Sequence, residues 1–163
     1  MTSIRYGGFW RRFAAFAIDK ALLYGVSLFL FLILVLAGGV DLPSPRRSPT
    51  PDAIEALIRG MTGLYLFVST LASAAYFTYF HGLTGQTPGK MAMKLQVIQI
   101  SGERMTFGLA FLRWVGYILS GIFLYLGFLW IAWDGRKQGW HDKIAGTVVV
   151  RRPAPPTGTG TDA

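Results

Sequence analysis

The sequence contains no cysteine, which excludes disulfide frameworks, thiolate metal sites and cysteine nucleophiles. Histidine is nearly absent too: His81 and His141 are isolated, with no metal-ligand spacing between them. Ser27, Ser69 and Ser120 lie in apolar runs without a neighbouring histidine, so no catalytic triad takes shape. No hydrolase or transferase signature is present, and the chain reads as a non-enzyme without a cofactor. Acids are scarce, 8 against 16 lysines and arginines, for a net charge of +8. That excess flanks apolar runs, the pattern of a membrane topology signal with added attraction to anionic lipid, and not that of a nucleic-acid partner. The apolar content of 52% is gathered in long runs with no period of two or 3.6 residues, and the mean hydropathy is +0.42. These features describe an integral membrane protein.

The principal run extends from Phe9 to Ala37 and carries charge only near its start, at Arg11, Arg12, Asp19 and Lys20. Roughly 17–25 apolar residues span a bilayer core as a helix, so the charge-free stretch from Ala21 to Ala37 is itself a minimal span. The run exceeds the core of about 7–15 residues in a cleavable signal peptide and reads as a retained first helix, stopped by Gly38-Gly39. As one helix it would extend about 43 Å, which places its start among the headgroups with Trp10 as an anchor. Arg12 and Asp19 are two helical turns apart and share a face. An aspartate entering hydrocarbon costs about 2.5–3.5 kcal/mol and so calls for a partner or a role.

A Pro/Ser-rich loop covers residues 38–50. Thr50, Pro51 and Asp52 then read as an N-cap, a first-turn proline and a first-turn acid. The helix they start continues into a second span, Met61–His81. In residues 82–105, LQVIQI is a short β candidate, and AGTVVV near the C-terminus is a second that could pair with it. GQTPGK is not a phosphate loop: Gly85 and Gly89 are too close and Met91 follows Lys90. It reads as a cytoplasmic turn with Lys90 at the lipid headgroups.

The third apolar block, Phe107–Trp133, holds Arg113 and allows one tilted span or a helical hairpin turning near Ser120-Gly121. If it crosses, lysines and arginines divide 8 inside and 8 outside; if it returns, 13 lie inside and 3 outside (Arg46, Arg47, Arg59). The positive-inside rule prefers the return, with both termini cytoplasmic. Arg113 then snorkels to phosphates or pairs with Asp19 or Asp134. Trp114, Trp130, Trp133 and Trp140 read as interfacial anchors, and residues 153–163 as a disordered tail.

Three stretches together resemble the RDD family of membrane proteins. WRRFAAFAID is similar to the family's arginine followed by an aspartate seven residues on. TGQTPGKMAMKLQV resembles its T-G-Q-T-x-G-K stretch before a β segment, and RKQGWHDKIAGTVVV its closing Q-G-x-H-D-x-x-A-G-T-x-V-V. FLRW, between them, is similar to the family's arginine before the last apolar block. The resemblance runs in order from Phe9 to Val150. It implies that Arg12 is the name-giving arginine, Asp19 and Asp142 the two aspartates, and residues 1–152 a single RDD-type domain. Lys20, beside the first aspartate, departs from the usual apolar neighbour. By analogy the resemblance also implies a transport role, with sodium/proton antiport among some members.

The expected architecture is therefore an all-α integral membrane protein. It has two full transmembrane helices plus a C-terminal helical hairpin, three or four membrane segments in all, and a short cytoplasmic β element. It sits in the inner membrane with both termini cytoplasmic. The site expectation is a cluster of Arg12, Asp19 and Asp142, supported by Arg113 and by His141 as a modulator of Asp142. Such a cluster could exchange a monovalent cation for protons, because a carboxylate holds either one. It could equally be a fixed charge clamp, since removing one member of a buried pair is costly. Two functions follow: a small transporter working as a homo-oligomer in the bilayer, or a non-catalytic accessory subunit of a larger membrane complex.

Overall fold

A computed structural model describes residues 5–39 and 50–152. The first part of the basic lead-in, most of the Pro/Ser-rich loop with Arg46 and Arg47, and the tail 153–163 lie outside the described residues. The chain is mostly helical, with one two-stranded sheet. Its elements fall into two compact units. One is Asp19–Tyr76; the other combines the residues up to Ile18 with those from Phe77 onward.

Two long helices, α1 (Phe9–Leu34) and α2 (Pro51–Thr84), each contribute to both units. α1 ends in a π-helical turn, Val35–Gly39, where Gly38 adopts a φ of 84° that an L side chain resists. α2 starts as the sequence indicates: Thr50 Oγ1 accepts from the Ala53 N–H at 3.3 Å, Pro51 opens the helix and Asp52 sits in its first turn. Both helices are long and apolar enough to cross a membrane. Only 11% and 6% of their apolar windows are buried within the chain, so their flanks require lipid or another protein surface. In the Asp19–Tyr76 unit, Phe31 meets Tyr65 edge-on at 5.7 Å between ring centroids.

The second unit is built around the sheet. β1 (Leu95–Gln99) and β2 (Thr147–Arg151) pair antiparallel with Val97 opposite Val149. Tyr6 bridges Val150 on the far side of β2, and the Gly7 N–H donates to the Val149 carbonyl at 2.8 Å, which fixes the chain entering α1. The inner sheet face (Leu95, Val97, Val149) packs with Ala15, Met105 and Ala110 as the core. GQTPGK bends at Gly85, whose φ is 68°, and then runs into a short helix, α3 (Pro88–Ala92), which Thr87 caps by accepting from the Lys90 N–H. Gln86 donates to the Leu95 carbonyl at 2.6 Å. Lys90 is only 6% exposed, so the expected headgroup position gives way to an interior one.

α4 (Phe107–Ile122) is capped by Thr106 and buries Ala110, Arg113, Gly116 and Ser120 along one stripe. The chain then bends by 111° into α5 (Leu126–Leu129) and a 3₁₀ turn ending at Ala132. The break falls at residues 123–125, later than the expected Ser120-Gly121, and its arms are unequal. Gly121 stays helical because a lone glycine weakens a helix without ending it. Leu124 and Tyr125 take the left-handed conformation instead, held by the Tyr125 N–H donating to the Ser120 carbonyl at 2.7 Å. α6 (Trp140–Ile144) lies against α4 at Gly116, where a Cβ would come within 2.7 Å of His141 Cα.

Candidate functional site

The second unit converges on one carboxylate. Asp142 stands at the third position of α6 and reaches back to accept from the Gly139 N–H at 3.0 Å, which anchors the helix start. Arg12, in the first turn of α1, donates to Asp142 Oδ2 at 2.5 Å. Its Nε donates to the Gly7 carbonyl at 2.8 Å, so the strand that bridges to Val150 also orients the guanidinium. Arg113 donates to Asp142 Oδ1 and to Thr147 Oγ1, and more weakly to the Tyr117 hydroxyl at 3.4 Å. Asp142 and Arg113 are fully buried and Arg12 is 4% exposed. One carboxylate thus ties α1, α4, α6 and the start of β2 together.

This arrangement settles several positions. Arg113 neither snorkels nor meets Asp134; the stripe it shares with Gly116 turns it inward, to Asp142. Asp134 instead pairs with Lys143 at 2.7 Å and accepts from the Gln138 and Arg136 N–H groups. His141 Nε2 lies 3.6 Å from Asp142 Oδ1, with its ring packed on Tyr117 and Phe128 at 4.5 and 4.8 Å. Burial, helped by Arg113, Arg12 and Lys90 and opposed by Asp142, pushes His141 down to about 3. It therefore stands beside Asp142 as a neutral ring. Burial alone would raise the Asp142 carboxyl, but Arg113 above all, with Arg12 and the Gly139 N–H, holds it well below the usual carboxylate range. Asp142 is a permanent anion at any physiological pH.

Arg12 and Asp19 both lie on the buried stripe of α1, with Ala15, Leu23 and Ser27. Asp19 belongs to the other unit, where it is fully buried and accepts a 2.7 Å hydrogen bond from the Tyr76 hydroxyl. His81 Nδ1 donates to the Phe77 carbonyl at 3.0 Å within α2. Among the described residues no three histidine, aspartate or glutamate side chains gather to hold a metal. Sequence reasoning missed Tyr76, Lys90, Tyr117, Gly139 and Thr147. Gly139 had a usable signal: it stands three residues before an aspartate, the spacing of an N-terminal cap. Tyr117 had one as well, one turn after Arg113 on the same helix, whereas Tyr76 and Thr147 had none, because their partners are distant in the chain.

The pattern of the RDD family matches residues 6–146. The chain is 35% identical over 148 residues to the uncharacterized protein YxaI of Bacillus subtilis, covering 88% of this chain and 95% of that one. It is 30% identical over 147 residues to the uncharacterized membrane protein YteJ of the same organism, covering 89% and 80%. It is also similar to a proline-rich antigen homolog of Mycobacterium tuberculosis, 32% identical over 102 residues, 61% of this chain and 41% of that protein. No solved structure matches. The arginine and the two aspartates that suggested the family lie within the matched region, and the chain belongs to the RDD family of membrane proteins.

Proposed function

We propose that the protein is a small inner-membrane transporter that exchanges a monovalent cation for protons, with Asp19 as the carboxylate that carries either one. A single observation carries this reading: Asp19 is fully buried inside an apolar helix and is met by the Tyr76 hydroxyl from a second apolar helix. An ionisable group at such a position is a functional candidate by default, and a tyrosine hydroxyl can serve both of its states. It donates to the carboxylate, and its oxygen can contribute to a cation's oxygen shell. Arg12, Asp142 and Arg113 have a different part in this reading. A carboxylate that accepts from two guanidiniums and a backbone N–H has no place for a cation, so Asp142 is the clamp and not the carrier.

In this reading both termini face the cytoplasm and the bent Phe107–Ala132 pair returns to its own side, as the lysine and arginine distribution prefers. The sparse burial of α1 and α2 supports a homo-oligomer, because two helices alone cannot enclose a path. That observation equally favours the second function, a non-enzymatic accessory subunit whose bare flanks dock on a larger membrane complex. Flux in proteoliposomes containing only this chain separates the two. Proton movement driven by a sodium or potassium gradient, abolished in Asp19→Asn and reduced in Tyr76→Phe with folding intact, is the expected result. Absence of flux from folded, oriented protein, together with a copurifying partner in fixed ratio, would give the role to the accessory subunit.

A further inference from the structure

The unit that contains the Asp142 clamp holds more buried positive charge than negative. Its described acids are Glu103, which is exposed, Asp134, which pairs with Lys143, and Asp142, whose oxygens already receive Arg12 and Arg113. Lys90 is a third buried cation, and among the described residues no carboxylate pairs with it. Arg12, Lys90, Arg113, Tyr117 and His141 all line one small cavity. Three cations therefore gather around a single carboxylate, and His141, pushed down to about 3, adds neither charge nor compensation at neutral pH. Arg113, though fully buried, also keeps its Nε without a hydrogen-bond partner among the described residues. Uncompensated buried charge and an unsatisfied buried donor are both strongly unfavourable.

The cavity measures about 10 Å³, room for one body of roughly water size. A water would fill it yet leave two positive charges unbalanced. Phosphate, sulfate or a carboxylate is too large. We propose that the cavity is a binding site for one monatomic halide, chloride by charge and availability, held by Lys90 and Arg113 and serving as counter-ion to the charge cluster. Phe16 and Phe128, tilted against each other at 4.8 Å between ring centroids, supply the apolar side of its lining. The site is independent of Asp19 and stands whether or not the protein transports cations.

The test is thermal unfolding of the full chain in detergent, in sodium gluconate with chloride added at constant sodium. A saturable rise of about 5 °C is expected, bromide replacing chloride and phosphate failing to do so. Labelled chloride should bind at one ion per chain. Lys90→Met should lose the rise and, in gluconate, melt at or above the wild type, because one unbalanced charge is gone. Arg59→Gln, on the exposed face of α2, should keep it. If Lys90→Met does not fold, Lys90→Gln takes its place, and the wild-type titration with labelled binding decides alone. A melting temperature indifferent to chloride, an equal rise with phosphate, or a full rise in the lysine variant would each overturn the site.

Discussion

Replacing Asp142 by asparagine is the most discriminating perturbation of the clamp. The side chain keeps its shape and one acceptor oxygen, so the Gly139 N–H or one arginine can still be served. The amide nitrogen, however, faces a guanidinium with donor against donor, and two fully or nearly buried cations lose their only ion-pair partner among the described residues. Removing one member of a buried ion pair typically costs about 3–5 kcal/mol. For a chain of this size 1 kcal/mol moves the midpoint by about 2–4 °C, so a drop of about 10 °C is expected. The assay is scanning calorimetry in detergent, with the double variant Arg12→Met plus Asp142→Asn closing a thermodynamic cycle. Because the arginine's cost arises largely from its unbalanced charge, the double variant should be less destabilised than the sum of the singles, by at least about 1 kcal/mol. An Asp142→Asn midpoint within about 2 °C of the wild type, with additive singles, would refute the clamp.

Further consequences can be measured with the same preparation. His141 is neutral in the fold and titrates near its ordinary value when unfolded, so protons bind the unfolded chain first and stability falls as pH drops below about 6.5 toward about 3. At pH 5 this loss amounts to about 2 kcal/mol, and a His141→Gln variant should flatten the profile across that window when midpoints are followed against pH. Asp142 adds to the acid sensitivity only below the usual carboxylate range, because its folded carboxyl is held lower still. Gly116→Ala forces α6 off α4, since the new methyl group meets His141 Cα at 2.7 Å; a loss of about 1–3 kcal/mol is expected in chemical denaturation, against near neutrality for Gly63→Ala, whose Cβ would meet nothing within 4 Å. With no native cysteine, single cysteines at Thr2, Arg47 and Ala163 can be labelled in intact cells and in inverted vesicles. The proposed topology requires Thr2→Cys and Ala163→Cys to react from the cytoplasmic side and Arg47→Cys from the other; Ala163→Cys reacting with Arg47→Cys would make the third block a crossing.

Much of the fold was legible because its signals are local. An uncharged run long enough to span, a Gly-Gly stop and a Thr-Pro-Asp start each act within a few residues, and α1 closes and α2 begins where those signals stand. The β candidates were legible for the same reason, since β-branched residues and flanking turn residues mark both strands. The bend after α4 was not. Gly121 is the residue that ordinarily permits a turn, whereas Leu124 and Tyr125 ordinarily resist the left-handed backbone they adopt. Only tertiary packing, with Ser120 buried and its carbonyl taken up by Tyr125, makes that break favourable.

The site divides along the same line between local and distant causes. That Arg12, Asp19 and Asp142 were the residues to follow could be read from charge at the edge of apolar sequence and from the family's motifs. Which cation meets which anion could not, because the wiring depends on closure of the sheet. Tyr6 must pair with Val150 before Gly7 can fix the Arg12 guanidinium, and β2 must be in register before Thr147 can accept from Arg113. An arginine such as Arg113 in an apolar block fits snorkelling and burial equally well on sequence alone. The deciding partner lies 29 residues away, on a helix too short to be marked by periodicity. Lys90 shows the cost of that blindness most clearly: a lysine between glycine and methionine in a polar stretch reads as surface, and only the assembled unit reveals it as a third cation around one carboxylate. A polar cluster held this way is all-or-none, since each donor is oriented by an element that another donor pins. Loss of any one member should therefore loosen the start of α1, α4 and β2 together.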